Sequence, residues 1–476
     1  MNRREFSLSL VAPLAAQAAD LAPDLAPNIL FLLSDDHSFP YLGCYGYPDL
    51  RTPTIDRLAA DGLLFHRAFQ AAPQCVPSRT ALMTGRSPVS ARVGRFNTPL
   101  PADIITLPDL LKKAGYFTGV ARRIYHLDGP GKGPQAGYVG EVIEREHLKS
   151  FAPRLDFVDT SGPGNTVKVV NQFLDQVPKT KPFFLWVNFN DPHHPWDKNA
   201  IQPPHDPSKL KLPAHLPDLP GVRQDLADYL GEITRVDSEV KSILDILEAR
   251  GLAKNTLAIF MGDNGMALPH GKGSLYDPGL HVPLMARWPG KIKPGGNTKE
   301  LISGEDITPT LLDAAGLAKA PGMSGQSFLK LLRGDATYQP RPHIFAARLQ
   351  HGSATMTPNI KSSGWDLSRG VRNQRYKLIY NATPWVEYQP VDSAKNPGWL
   401  QMKAAHEAGK MDATLGRAYF THPRPIYELF DLDEDPSELN NLAGRPHLAD
   451  IERGLRKALI EKCVLDYDFI PPPVLN

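Results

Sequence analysis

The sequence predicts an α/β protein: a large, mostly parallel sheet flanked by helices, followed by a smaller C-terminal antiparallel sheet. Three observations carry that expectation. Continuous apolar runs end abruptly in acids or amides, as strands buried on both faces do where they emerge. Amphipathic helical stretches alternate with those runs, the pattern of parallel strand–helix–strand units. After about Gly334 the strand-like pieces become shorter and alternating.

The chain starts with what reads as an address. Asn2-Arg3-Arg4-Glu5-Phe6 resembles a twin-arginine export signal, and a modestly apolar stretch from Leu8 ends in the small-residue pattern Ala16-Gln17-Ala18. Ser7 stands where such signals more often carry Leu, so a Sec-type signal stays open. Residues 1–18 are expected to be a signal peptide and the mature protein exported, periplasmic or extracellular. The apolar run is too short and broken to span a bilayer, and no later stretch reaches that length, so no transmembrane anchor is expected.

Asn28–Ser34 is the first buried strand, with Asp35-Asp36 directly after it. Leu107, Leu110, Leu111 and Ala114 give a helix stopped by Gly115, before a strand at Tyr116–Ala121. Pro182–Asn188 is a second buried run, followed by Asp191-Pro192-His193. Leu226, Leu230, Ile233, Val240, Ile243, Leu244 and Leu247 mark a longer helix ending at Gly251. The third run, Thr256–Gly262, delivers Asp263-Asn264. Ligands of open α/β sheets bind at the carboxyl ends of the strands, so these acids, amides and imidazole point to one site. Residues 28–335 are expected to form the catalytic domain. Short strands at His343–Arg348, Tyr376–Tyr380 and Tyr427–Asp431, with a helix near His447–Cys463, make up an α+β subdomain over 336–476.

The 476-residue chain carries 53 basic against 51 acidic residues, a formal charge of +2. No global field favours nucleic acid or an acidic membrane, so any anion must be held by local cations. Three cysteines, Cys44, Cys75 and Cys463, exclude a disulfide-dense scaffold and a cysteine-rich zinc module. A Cys44–Cys463 bridge stays open, and Cys75 needs its own explanation.

That explanation comes from Cys75-Val76-Pro77-Ser78-Arg79, leading through a helix-like stretch into Thr84-Gly85-Arg86. The segment resembles the signature of the sulfatase family, and with it the chain is similar to that family over most of residues 28 to 445. Thr52–Leu58, Asp306–Gly316 and Tyr427–Asp431 with Asp435-Pro436 extend the likeness. The resemblance implies an alkaline-phosphatase-like fold and a maturation enzyme that oxidises Cys75 to formylglycine. The hydrated aldehyde has two hydroxyls on one carbon: one attacks sulfur, and the other expels sulfate by collapse to the aldehyde. Cys75 at a helix amino terminus would sit where peptide N–H groups favour negative charge, with Arg79 one turn on.

The resemblance also implies a metal set of Asp35, Asp36, Asp263 and Asn264, completed by residue 75. Three carboxylates and an amide oxygen suit calcium, with magnesium as the alternative. Arg122-Arg123 lies where the family usually carries Gly-Lys. Arg123 can bind sulfate as a fork but cannot give up a proton, which leaves His126 as the expected base. His193 matches a position that binds sulfate and helps protonate the departing group, and Lys272 a further cation beside it. Asp191 and His351 are expected to read the sugar.

Within the family the heparan N-sulfatase (sulfamidase) branch is the best match, on Asn190–His193, Asp263–Gly265, Gly271–Gly279 and Leu349–His351. Residues 28–88 also resemble iduronate-2-sulfatases. A sulfated glycan is therefore the expected partner, N-sulfoglucosamine first, with a uronate or hexosamine O-sulfate as the alternative. A phosphonate or phosphate ester hydrolase of the same superfamily and an inactive sugar-binding relative are the other readings.

Overall fold

Alternate side chains of Asn28–Ser34 enter two different cores, and this places the strand at the centre of the molecule. Ile29, Phe31 and Leu33 pack with Ile259, Met261 and Trp186 on one side of the sheet. Leu30 and Leu32 pack with Phe260, Leu185 and the long helix on the other. Fully burying one such side chain stabilises by about 1.5–3 kcal/mol, which explains why Ile29, Leu30, Phe31, Leu32 and Leu33 are all inaccessible. The computed structural model describes residues 26–475, apart from 49, 95, 131–136, 160, 162–164, 351–354, 358–359 and 362–364. The expected signal peptide and His351 lie outside the described residues.

Eight strands form the main sheet, in the spatial order Phe157–Asp159, Phe117–Ala121, Phe183–Asn188, Asn28–Ser34, Thr256–Gly262, Leu284–Arg287, Leu63–Phe65, Gly296–Thr298. Only Leu284–Arg287 runs against the others. Ser34 pairs with Gly262, Leu33 with Asn188 and Val187 with Ala121, so four adjacent parallel strands end level with one another. The three buried runs expected from sequence are strands and share one carboxyl edge. The expected long helix is longer than its apolar positions marked, Pro220–Ala249.

A four-stranded antiparallel sheet follows, in the order Ile344–Arg348, Ser368–Arg372, Tyr376–Asn381, Tyr427–Asp431, with the helix Ala449–Leu465 against it. Sequence reasoning missed Ser368–Arg372 and the helices Pro397–Glu407 and Ala413–Phe420. Trp399, Met402 and Tyr419 of those helices join the core under the long helix, so this part of the chain reaches back onto the main layer. Cys44, Cys75 and Cys463 are all free thiols, which closes the question of a Cys44–Cys463 bridge. Among the described residues no helix is long and apolar enough to cross a membrane.

Candidate active site

The edge where the four parallel strands end carries Asp35-Asp36, Arg122-Arg123, Asn188 with Asn190, and Asp263-Asn264. Each turn there is held by a specific bond. Asp36 adopts a left-handed backbone at φ +61°. Its N–H donates to Asp263 Oδ1 at 2.9 Å, and its carbonyl accepts from the Tyr229 hydroxyl of the long helix at 3.1 Å. Gly262 lies so close to this turn that a Cβ would stand 2.4 Å from the His37 carbonyl oxygen. No other residue fits there without moving the turn.

Cys75 opens the helix Cys75–Thr84, all ten residues of which are buried. Pro77 is tolerated because it falls in the first turn, where N–H groups lack helical partners. Gln74 does not cap the helix with its side chain. Instead it bonds Leu349 in both directions, Nε2 to the carbonyl and Oε1 from the N–H, each at 3.1 Å. Cys75 Sγ stands 3.4 Å from Asp35 Oδ1 and 3.8 Å from Asp36 Oδ1. Burial and the nearby Asp35 carboxylate push its thiol well above the usual range. The thiolate nucleophile of cysteine enzymes is therefore not what this site stabilises.

Arg79, one turn on and fully buried, binds Asp263 through Nε and Nη2 at 2.8 Å, Asp35 at 3.2 Å, and the Asn188 amide oxygen. Removing one partner of such a buried pair costs about 3–5 kcal/mol. Arg123 pairs with Asp35 and donates to Asn190 Oδ1 at 3.0 Å and Tyr125 Oη at 3.1 Å. Burial would raise Asp35, but Arg123 and Arg79 hold its carboxyl well below the usual range. For Asp36 and Asp263 burial wins, and both are pushed up to about 7.

Arg122 and Arg123 both have left-handed backbones, φ +65° and +51°. The glycine usual in the resembled motif would take this conformation freely; two arginines must be held in it. Asn188 Nδ2 binds the Arg122 carbonyl at 3.3 Å, and the Arg122 guanidinium turns away to Thr166 and Glu239.

Lys272 Nζ is buried between Asp36, at 2.9 Å, and Asp392, at 2.7 Å, and stands 3.2 Å from His193 Nε2. His193 Nδ1 faces the His194 carbonyl, so Nδ1 carries the hydrogen and Nε2 accepts from Lys272. Burial and the Lys272 ammonium lower His193 to about 4, leaving it neutral near pH 7. His126 is buried beside Tyr125, its ring centroid 4.3 Å away, and its Nδ1 has no partner among the described residues. Burial and Arg79 hold it far below 6.5, so its ring is neutral as well.

Of the residues expected at the site, Asp35, Asp36, Cys75, Arg79, Arg123, His193, Lys272, Asp263 and Asn264 form one connected cluster. His126 lies near enough for Asp35, Arg79 and Arg123 to affect its titration. Asp191, expected to read the sugar, sits beside His193 and is paired with the long helix. Arg235 of the long helix binds both of its carboxylate oxygens, which fixes the orientation of the carboxylate. Asn188, Tyr229 and Asp392 were missed. Asp392 comes from a loop of the C-terminal part and carries no sequence pattern that marks it.

Asp35, Asp36, Cys75 and His193 offer ligand atoms within 4.8 Å of one another. Asn264 Oδ1 is buried with no hydrogen-bond partner among the described residues, while its Nδ2 donates to Asp36 Oδ1 at 2.8 Å. An orphaned amide oxygen beside crowded carboxylates is a donor set for a hard cation, so the residues present fit one.

A parallel sheet edge that gathers buried cations and a candidate metal donor set is suited to holding a tetrahedral oxyanion. The sulfatase family model matches residues 27–317, and the chain belongs to that family. It is a sulfatase, a sulfuric ester hydrolase acting on sulfated substrates. Residues 269–415 match the model of the N-sulphoglucosamine sulphohydrolase C-terminal region. An ulvan-active sulfatase of Formosa agariphila is 30% identical, over 90% of this chain and 78% of its own. Human N-sulphoglucosamine sulphohydrolase is 28% identical, over 91% and 89%. A solved structure bound to its substrate D-glucosamine-2-N,6-O-disulfate superposes with a TM-score of 0.68 at 19% identity, over 94% of this chain and 99% of that one. That last likeness concerns the fold alone.

Proposed function

We propose that this sulfatase removes sulfate from glycans, with N-sulfoglucosamine of heparan-type chains as the first substrate and a uronate or hexosamine O-sulfate as the second. The observation that carries the chemistry is Cys75 Sγ at 3.4 Å from Asp35, among the buried cations Arg79 and Lys272 and the half-buried Arg123. The match of residues 269–415 supports the sugar class.

In this reading a maturation enzyme converts Cys75 to formylglycine, whose hydrate supplies the attacking hydroxyl and the later exit of sulfate. Asp35, Asp36, Asp263 and Asn264 would hold calcium, or magnesium, which supplies positive charge to a sulfate oxygen. Arg79 keeps Asp35 and Asp263 in place through its buried bonds. Arg123 and Lys272 present N–H donors to the sulfate oxygens, where water is excluded and such donors act strongly. His126 takes a proton at its open Nδ1, and His193 with Lys272 holds one for the departing atom. Export to the periplasm or beyond belongs to the same proposal and rests on Asn2–Phe6 and Ala16–Ala18.

Initial rates of sulfate release from a defined panel of sulfated saccharides test the proposal. N-sulfated glucosamine ends should be cleaved with the highest kcat/KM. A phosphate ester hydrolysed faster than its matched sulfate ester would overturn the assignment.

A further inference from the structure

The loop that carries Lys272 has two faces. Lys272 turns its ammonium to Asp36 and Asp392, whereas Gly273 to Tyr276 form a wall of a second cavity of about 480 Å³. That volume accommodates one or two sugar rings. Its mouth is formed by exposed residues, Arg417 and Arg445 among them, so it opens to solvent.

Charge in this cavity is unbalanced. Arg348, Arg417, Arg424 and Arg445 line it. One carboxylate, Asp366, serves both Arg348 and Arg424. Arg424 Nε is buried with no partner, and neither Arg417 nor Arg445 has a carboxylate partner among the described residues. The two acids in the lining are occupied from behind. Glu428 accepts from Tyr276 at 2.7 Å and Asn381 at 2.6 Å, and burial raises its pKa, which weakens its claim on a cation. Glu438 pairs with Lys377 at 2.6 Å. Tyr388 adds aromatic ring surface to the lining, of the kind a sugar ring packs on. A buried guanidinium N–H without an acceptor is costly, and an oxyanion satisfies it.

We propose that this cavity is an accessory binding site for an anionic saccharide unit, held by its carboxylate or sulfate against Arg424, Arg417 and Arg445. The saccharide part rests on the glycan reading above; the cation excess does not.

The test uses the full chain with Cys75→Ala, so that nothing is turned over. Calorimetry follows two probes, an unsulfated glucuronate-containing disaccharide and a sulfated disaccharide without uronate; crystals soaked with each locate them. Density in the cavity and a second binding event with either probe support the site, the responding probe naming the anion. Adding Arg417→Glu and Arg445→Glu should weaken that event by about tenfold or more. The same double substitution in the Cys75 enzyme should leave turnover of a small aryl sulfate within about twofold, because those residues touch nothing in the Cys75 cluster. Binding of inorganic sulfate alone, binding at crystal concentration only, or an isotherm unchanged by the charge reversals would overturn the proposal. A protein that fills the cavity yet releases no sulfate from glycans would instead count against the function proposed above.

Discussion

Lys272 Nζ lies 2.7 Å from Asp392 and 3.0 Å from Asp36 Oδ2, so one buried ammonium joins the catalytic edge to a loop of the C-terminal part. Ser393 pins that loop through the Ala267 carbonyl, and Asn396 bonds His194 at 2.9 Å. Asp392→Asn leaves Lys272 with Asp36 as its only ion-pair partner among the described residues and pulls it toward the metal set. The expected result is a fall in kcat/KM of about tenfold, the worth of one charge-assisted bond. Steady-state rates on aryl sulfates of graded leaving-group acidity check it, and the loss should grow as the leaving group becomes poorer. A uniform loss would place Asp392 in binding only.

Cys75 has a thiol held protonated, so activity should follow conversion of this residue rather than its native sulfur. Mass spectrometry of the Cys75 peptide from active protein should find the aldehyde. Cys75→Ala should lower kcat by about a thousandfold or more while keeping the fold. Full activity with an intact thiol would break the link between this residue and the chemistry.

Clustering of Asp35 and Asp36 with Cys75 and His193, beside Asp263 and an Asn264 Oδ1 with no partner among the described residues, predicts that a divalent cation stabilises the protein as well as the reaction. Chelation should lower Tm and activity together, and calcium should restore both. At a hundredfold excess over Kd the gain is about 2.7 kcal/mol. A Tm indifferent to chelator and calcium would count against the metal set.

The catalytic edge was legible in sequence because buried parallel strands are apolar on both faces, so the first polar residues after them announce where the chain surfaces. Cys75 and Arg79 were legible through the resemblance of Cys75–Arg79 and Thr84–Arg86 to the sulfatase signature, not through any local physical pattern. What stayed hidden depends on distant partners. Ser368–Arg372 is a buried strand despite two arginines, because Arg369 binds Asp468 at 2.7 Å and Arg372 binds Asp277 at 2.9 Å. No local pattern announces pairs formed 99 and 95 residues apart. The pairing of Asp191 with Arg235 stayed hidden for the same reason, since the two are 44 residues apart. Asp392 reaches the site through loop packing alone.

Arg123 makes bonds to Asp35, Asn190 and Tyr125, and in the function proposed above it contributes its charge to the sulfate. Arg123→Lys should keep activity within about threefold or raise it, because an ammonium can also give up a proton. Arg123→Met should lose about a hundredfold, leaving Asp35 with Arg79 alone. Initial rates of the two variants decide this. An inactive Lys variant would show that the fork geometry itself is required.

His215 gives a pH prediction far from the metal set. It is buried, its Nε2 has no partner among the described residues, and burial lowers it to about 3. The unfolded chain binds a proton at about 6.5 and the folded one does not until about 3. Stability is therefore untouched above that unfolded value and is lost as pH falls between the two, by about 1.4 kcal/mol per unit from this residue. His215→Phe keeps an aromatic ring beside His270, centroid distance 5.5 Å, and the backbone carbonyl that accepts from Tyr419. Denaturant unfolding from pH 7 to 4 should show the variant losing stability less steeply than the parent, by one proton's slope. Parallel curves for the two proteins would mean that His215 gains its proton without unfolding.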